Sequence, residues 1–156
     1  MTSRIYLAVV AVLLLVIAAM AYKFIVAGSI QTDEDGRVAI ILEPGERALM
    51  LREMREFVAG LQRVADALSR DDMEGVASAS RALGSARAHE VPAAMMGKLP
   101  LEFKTLALAT HRAFDTIAAD ADANGTPKHA LTQLADALQR CVACHSSYQV
   151  KAITNR

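Results

Sequence analysis

Cys141-Val142-Ala143-Cys144-His145-Ser146-Ser147-Tyr148 lies close to the C-terminus and decides how the rest of the chain is read. Two cysteines three apart, with histidine directly after the second, form the attachment signature of a c-type haem. The spacing follows from the chemistry. Each thiol adds to one vinyl group of the porphyrin, and the adjacent imidazole then lies beneath the iron as its proximal ligand. Cys141 and Cys144 are the only cysteines in the chain, so both are used. A thioredoxin-like dithiol needs a βαβ context, and none precedes Cys141. A zinc site needs about four ligands, and the sequence has no second Cys/His cluster. A disulfide across one helical turn is the remaining alternative.

The motif ends a helical stretch that opens with Thr126 as cap and Pro127 at the first helical position. Leu131, Leu134, Leu138, Cys141, His145 and Tyr148 form its apolar seam, so the cysteines and histidine are expected to face neighbouring helices. Before it, Pro92–Ala123 is broken by Pro100, after which Phe103, Leu106, Thr110, Phe114, Ile117 and Ala121 share a face; Asn124-Gly125 is the stop signal. A shorter helix opens at Asp71, with Glu74 completing a capping box. It presents Val76, Ala77, Ser80 and Leu83 and ends near His89. The earliest stretch begins at Pro44 and carries Met50, Met54, Phe57, Leu61, Val64 and Leu68 at steps of four and three. Short connections favour antiparallel neighbours, so the expected architecture is all-α: an up-down-up-down four-helix bundle over residues 44–156.

Ile5–Tyr22 is an unbroken apolar run, and Phe24–Ala27 continues it past Lys23. A helix over Ile5–Ala27 would be roughly 34 Å long, enough to cross a bilayer. Arg4 precedes the run and Asp33, Glu34 and Asp35 follow it, so residues 1–4 are expected in the cytoplasm and the remainder outside. In a bacterium this gives an inner-membrane anchor with a periplasmic haem domain, and c-type haem is attached on that same side. The rival is a cleaved signal peptide, since Ala19-Met20-Ala21 has the small-x-small form of a cleavage site, which would leave a soluble periplasmic protein. Residues 28–43 read as a connector, with a turn at Asp35-Gly36; Val38–Leu42 is either a brief extended segment or solvated linker.

The chain has 156 residues, with 17 Lys plus Arg against 17 Asp plus Glu. A zero formal charge argues against nucleic-acid binding. Tryptophan is absent and alanine abundant, a composition for helices with a thin core that a porphyrin would fill. No acid–base pair or phosphate loop points to an enzyme.

Topology narrows the second axial ligand. The end of the fourth helix should lie beside the start of the first, bringing Met50 and Met54 near His145; Met95 and Met96 also lie at this end, while Met73 is at the far one. His111 flanks the seam of the third stretch, within approach of the haem, and His89 and His129 are expected at exposed helix ends.

A helical bundle with this motif in its last helix resembles cytochrome c′ and its low-spin relatives, the cytochrome c556 group of class II c-type cytochromes. Cys141-Val142-Ala143-Cys144-His145-Ser146-Ser147-Tyr148 matches a C-x-A-C-H-x-x-Y ending, and Phe103-Lys104 is also similar. The likeness spans about Pro44–Tyr148 and is specific at the haem end. Gln149 stands where a basic residue is common, and the anchor is a second departure, since most members are soluble and exported. The resemblance implies a distal residue on the first helix, followed on the seam at steps of three, four and three. Met54, Phe57, Leu61 and Val64 reproduce these steps, which assigns Met54 to the iron and leaves Met50, Phe57 and Tyr148 lining the haem pocket. It implies a membrane-anchored electron carrier with one covalent haem c, serving redox partner proteins at the membrane. A five-coordinate protein that binds nitric oxide or carbon monoxide is the alternative. Family members are often dimers, and a homodimer is one state left open here.

Overall fold

Helix α6, Pro127–Ser147, opens as its sequence dictates: the Thr126 hydroxyl accepts a hydrogen bond from the His129 N–H at 3.3 Å, and Pro127 supplies the first helical residue. It ends when Tyr148 turns extended and closes its N–H on the Cys144 carbonyl. The computed structural model describes residues 2–153, apart from the side chains of Thr2, His89 and Glu90. Within that range the chain is mostly helical, but it is not all-α. Tyr148–Ala152 leaves α6 as strand β3 and pairs in parallel with β2, Val38–Leu42, which pairs antiparallel with β1, Ile30–Thr32. The strand order is β1-β2-β3, with Val38 opposite Tyr148 and Leu42 opposite Ala152.

This sheet corrects the reading of residues 28–43 as a connector. β2 is the central strand, with its backbone paired on both sides, and Ala39, Ile40 and Leu42 are buried. Ile40 and Leu42 join Met95, Leu99 and Phe103 in one apolar cluster. The hairpin turns at Asp35-Gly36, where Gly36 has φ 83°, a conformation in which a Cβ is strained. The domain therefore begins near Gly28 rather than Pro44.

Helix α2, Pro44–Ser69, starts at a reciprocal capping box between Glu43 and Glu46. Helix α3 is short, Met73–Arg81. Its cap is Asp72, whose carboxylate accepts from the Gly75 N–H at 2.8 Å; Asp71 instead takes a left-handed conformation, φ 54°. A 3₁₀ segment, Ser85–Glu90, and the one-turn helix α4, Ala93–Met96, lead to Pro100, after which α5 runs Leu101–Asp122. α3 packs on both α2 and α5, and α5 on α6. Val64, Val76, Leu83, Phe114, Ile117 and Leu134 are buried together in a second cluster.

The seam expected on α6 is rotated. Ala130, Leu134 and Ala137 are its buried residues, whereas Leu131, Leu138 and His145 are exposed. Small alanines let α5 approach closely, so the inward stripe runs through them, and the flanking leucines are displaced outward. Cys141 and Cys144 both become half-buried, and Tyr148 belongs to β3.

At the N-terminus, helix α1, Thr2–Ala21, continues as a π-helical segment, Tyr22–Ala27. Together they are long and apolar enough to cross a bilayer, and the apolar window within Ser3–Ala27 is not buried. A signal sequence has the same character. The exit of this helix is docked on the domain: Lys104 Nζ donates to the Phe24 and Ile25 carbonyls at 3.0 and 3.1 Å, and Ser29 N–H donates to Lys98 O at 2.7 Å. Gly28, at φ 67°, lies so close that a Cβ would sit 2.6 Å from Lys98 O and Pro100 N.

Leu42 is fully buried, so Leu42→Ala should cost about 2–5 kcal/mol, the range for a large-to-small change in a packed core. Denaturation of the full chain in detergent measures it. A change within about 0.5 kcal/mol, the size expected at a surface position, would return β2 to a solvated linker.

Candidate functional site

The two apolar clusters do not meet. Helix α3 stops at Arg81, so it fills the space between α2 and α5 only in the half of the domain far from the sheet. In the other half α2 and α6 scarcely touch. The gap is a cavity of about 480 Å³, open on one side and walled by α2, α5, α6 and β3. This volume lies within the roughly 300–1,000 Å³ of small-molecule and cofactor pockets.

All seven residues singled out in the sequence line this one space. Met50, Met54 and Phe57 come from α2, Cys141, Cys144 and His145 from α6, and Tyr148 from the first residue of β3. Of the methionines at this end, Met95 and Met96 pack in the cluster beneath the sheet and do not reach the cavity, which leaves Met50 and Met54. Met50 also touches that cluster, whereas Met54 does not. The walls are chiefly apolar: Leu51, Val58, Leu61, Phe103 and Ala107 complete them. Phe103 meets Tyr148 edge to face, centroids 5.4 Å apart, and the Tyr148 hydroxyl donates to Glu102 at 3.4 Å.

Both cysteines are free thiols. Burial pushes the Cys141 thiol above the ordinary cysteine value; burial, aided by the neighbouring Cys141, does the same to Cys144. Burial also raises the Tyr148 hydroxyl, with Glu102 adding to it. The thiols thus stay protonated at neutral pH and are poor nucleophiles until the proton is drawn off. Among the described residues no three His, Cys, Asp or Glu side chains cluster closely enough to hold a bare metal ion. The donors are instead spread round an apolar space, thiols and imidazole on one wall and thioethers on another.

Arg37, Arg47, His111 and Gln149 also line the cavity and were not among the expected site residues. Arg47 comes one turn before Met50 and shares its face, a signal that helical spacing contains. Arg37 has no such signal. The β2–β3 pairing brings it to the motif, where its guanidinium donates to the His145 carbonyl at 3.4 Å and pairs with Asp35 at 2.6 Å. Gln149, the departure after the tyrosine, accepts from Arg37 at 3.5 Å and donates to Asp33 and Asp35, so it ties the strand to the hairpin turn. His111, expected only within approach of the haem, lines the cavity as well. Of the other histidines, His129 is exposed beside Asp120, and the side chain of His89 lies outside the described residues.

No protein-family profile, curated protein or solved structure matches the chain.

Because the folded chain holds the Cys141 and Cys144 protons more tightly than the unfolded chain does, their contribution to stability is complete below the ordinary thiol pKa. It is lost as pH rises through the raised values. Full-length chain with both thiols free should therefore lose denaturant resistance as pH climbs above about 8.5. A Cys141→Ser/Cys144→Ser variant, which has no thiols to titrate, should show a flatter decline. Equal slopes would mean that the thiols are as solvated as in the unfolded chain.

Proposed function

We propose that this chain is a membrane-anchored c-type cytochrome that carries electrons through one covalently bound haem, with His145 as proximal ligand and Met54 as distal ligand. One observation carries the reading: the two thiols and the imidazole of one short motif and the thioether of a distant helix all border a single apolar cavity. Such a donor set suits a flat apolar macrocycle with one metal at its centre better than a bare ion.

The chain's own residues have simple tasks. Cys141 and Cys144 would hold the group, each thiol adding across one vinyl double bond with no net oxidation. Since burial keeps both thiols protonated, deprotonation has to be assisted from outside the chain. His145 follows Cys144 directly and supplies a neutral nitrogen. Met54 supplies a soft sulfur from the facing helix. Phe57 and Tyr148 wall off the cavity, and Met50 packs beside them. A haem held there supplies an iron that cycles between ferric and ferrous, and thioether ligation favours the ferrous state and raises the potential.

The helices α2, α3, α5 and α6 then make up a four-helix bundle of the cytochrome c′ type, with the sheet added at the haem end. The N-terminal helix serves as an inner-membrane anchor that keeps the domain in the periplasm beside membrane-bound redox partners. Its docking through Lys104, Ser29 and Gly28 supports a helix built into the domain. The second reading, binding of nitric oxide or carbon monoxide at a five-coordinate iron, is favoured by the apolar wall of Phe57, Val58 and Leu61. Ferric and ferrous absorption spectra separate the two, six-coordinate low-spin iron supporting the carrier and five-coordinate high-spin iron the gas-binding protein.

Denaturation in acid acetone should leave haem on the wild-type polypeptide and none on Cys141→Ala/Cys144→Ala. Haem extracted from the wild type would reject covalent attachment. Met54→Ala should lower the potential by at least about 59 mV, one tenfold step in the ferrous-over-ferric preference of a one-electron couple. An unchanged potential, with a lowered one in Met50→Ala, would move the ligand one turn along α2.

A further inference from the structure

His111 sits midway along α5, half-buried, with its ring on the cavity wall. It is held from two sides. Its Nδ1 is 2.8 Å from the carbonyl oxygen of Leu83, just beyond α3, and its ring lies against Phe57, centroids 5.2 Å apart at 60°. A carbonyl oxygen only accepts, so Nδ1 carries the hydrogen. A neutral imidazole then has its lone pair on Nε2. Among the described residues Nε2 has no hydrogen-bond partner, and with Nδ1 committed to the α3 end it is the nitrogen left for the cavity.

That is the arrangement of a metal-ligating histidine. Such residues donate their other ring N–H to a carboxylate or backbone carbonyl, which fixes the tautomer, orients the ring and raises the basicity of the ligating nitrogen. His145 has no comparable support from its ring among the described residues and stays exposed. The oriented imidazole in this cavity is therefore the one outside the motif.

We propose that His111 Nε2 is a second ligand directed at the same iron, competing with Met54 for the position opposite His145 and taking it when Met54 is absent. The proposal rests on the haem reading above. The two candidates differ in softness: thioether sulfur prefers ferrous iron, whereas imidazole suits ferric iron well. His111 thus keeps ferric iron six-coordinate and closed to added ligands even where the methionine is lost, so the cavity does not become a gas-binding site by that single change.

The test uses full-length chain in detergent with haem attached, as wild type, Met54→Ala, His111→Ala and the double variant, read by ferric electron paramagnetic resonance and absorption. His111→Ala should keep the His/Met spectrum of the wild type. Met54→Ala should stay low-spin, with the signature of two imidazoles. The double variant should turn high-spin, and free imidazole should restore its low-spin state. Ferrous carbon monoxide binding should be roughly tenfold or more faster in the double variant than in Met54→Ala, because an internal ligand leaves only a fraction of the iron open. If Met54→Ala is already high-spin and indistinguishable from the double variant, His111 does not reach the iron and the proposal falls. Where removal of the ring disturbs the fold, His111→Gln keeps a donor for Leu83 and no imidazole, and the same comparison applies. Wild type lacking covalent haem would instead overturn the cytochrome assignment, a separate outcome seen before any variant is compared.

Discussion

The parallel pairing of β2 with β3 is the constraint on which the site depends. The helix that carries both cysteines would otherwise end in an unsupported tail. Pairing Val38 with Tyr148 and Leu42 with Ala152 fixes that end against a strand from before the first domain helix. It brings Arg37 to the carbonyl of His145 and sets Tyr148 against Phe103. Parallel strands need a long crossover, and here the crossover is the whole helical region. Closing so large a loop is less costly than it looks, since each doubling of loop length adds only about 0.6 kcal/mol. Burial of Ile40 and Leu42 beneath the sheet, and the ion pair of Lys151 with Asp33 at 2.5 Å, offset part of that cost.

The local signals were legible and the distant ones were not. Thr126-Pro127, Glu43-Pro44, Pro100 and Asn124-Gly125 each mark a helix boundary that is found where they stand, because caps, proline and left-handed residues act within one turn. Met50, Met54 and Phe57 line one cavity because they follow helical spacing along one face of α2. One error and one open choice share a cause. The phase of α6 was set by its largest apolar residues, yet at a close helix approach small ones face inward, and Ala130 and Ala137 are buried where Leu131 and Leu138 are exposed. Val38–Leu42 stayed open between an extended segment and a solvated linker because a five-residue apolar run becomes a strand only when its partner is known, and that partner follows the two cysteines. Arg37 escaped for the same reason.

The N-terminal helix is not an appendage on a free tether. Lys104 binds carbonyls that the change from α- to π-helical pairing leaves at the helix exit, and Phe24 rests against Gly97. Lys104 follows Phe103, a residue of the cavity wall. The apolar helix and the cavity are therefore tied through one turn of α5. On the anchored reading, this places the cavity end of the domain toward the bilayer.

The cavity also explains why a covalent tether suits this fold. It is partly open to solvent, so a macrocycle inside it would keep part of its surface in water. Burial of apolar area stabilises by about 25 cal/mol per Å², and the exposed part contributes nothing. On the proposed reading, two bonds to α6 would remove the dissociation that incomplete burial permits. The same gap divides the core into two clusters, one around Phe114 and one beneath the sheet. A planar apolar group bound to α6 and ligated from α2 would touch both, converting two partial cores into one. On this account the cofactor completes the packing that a short α3 leaves unfinished, and its iron ligands come from the two helices that the protein alone holds apart.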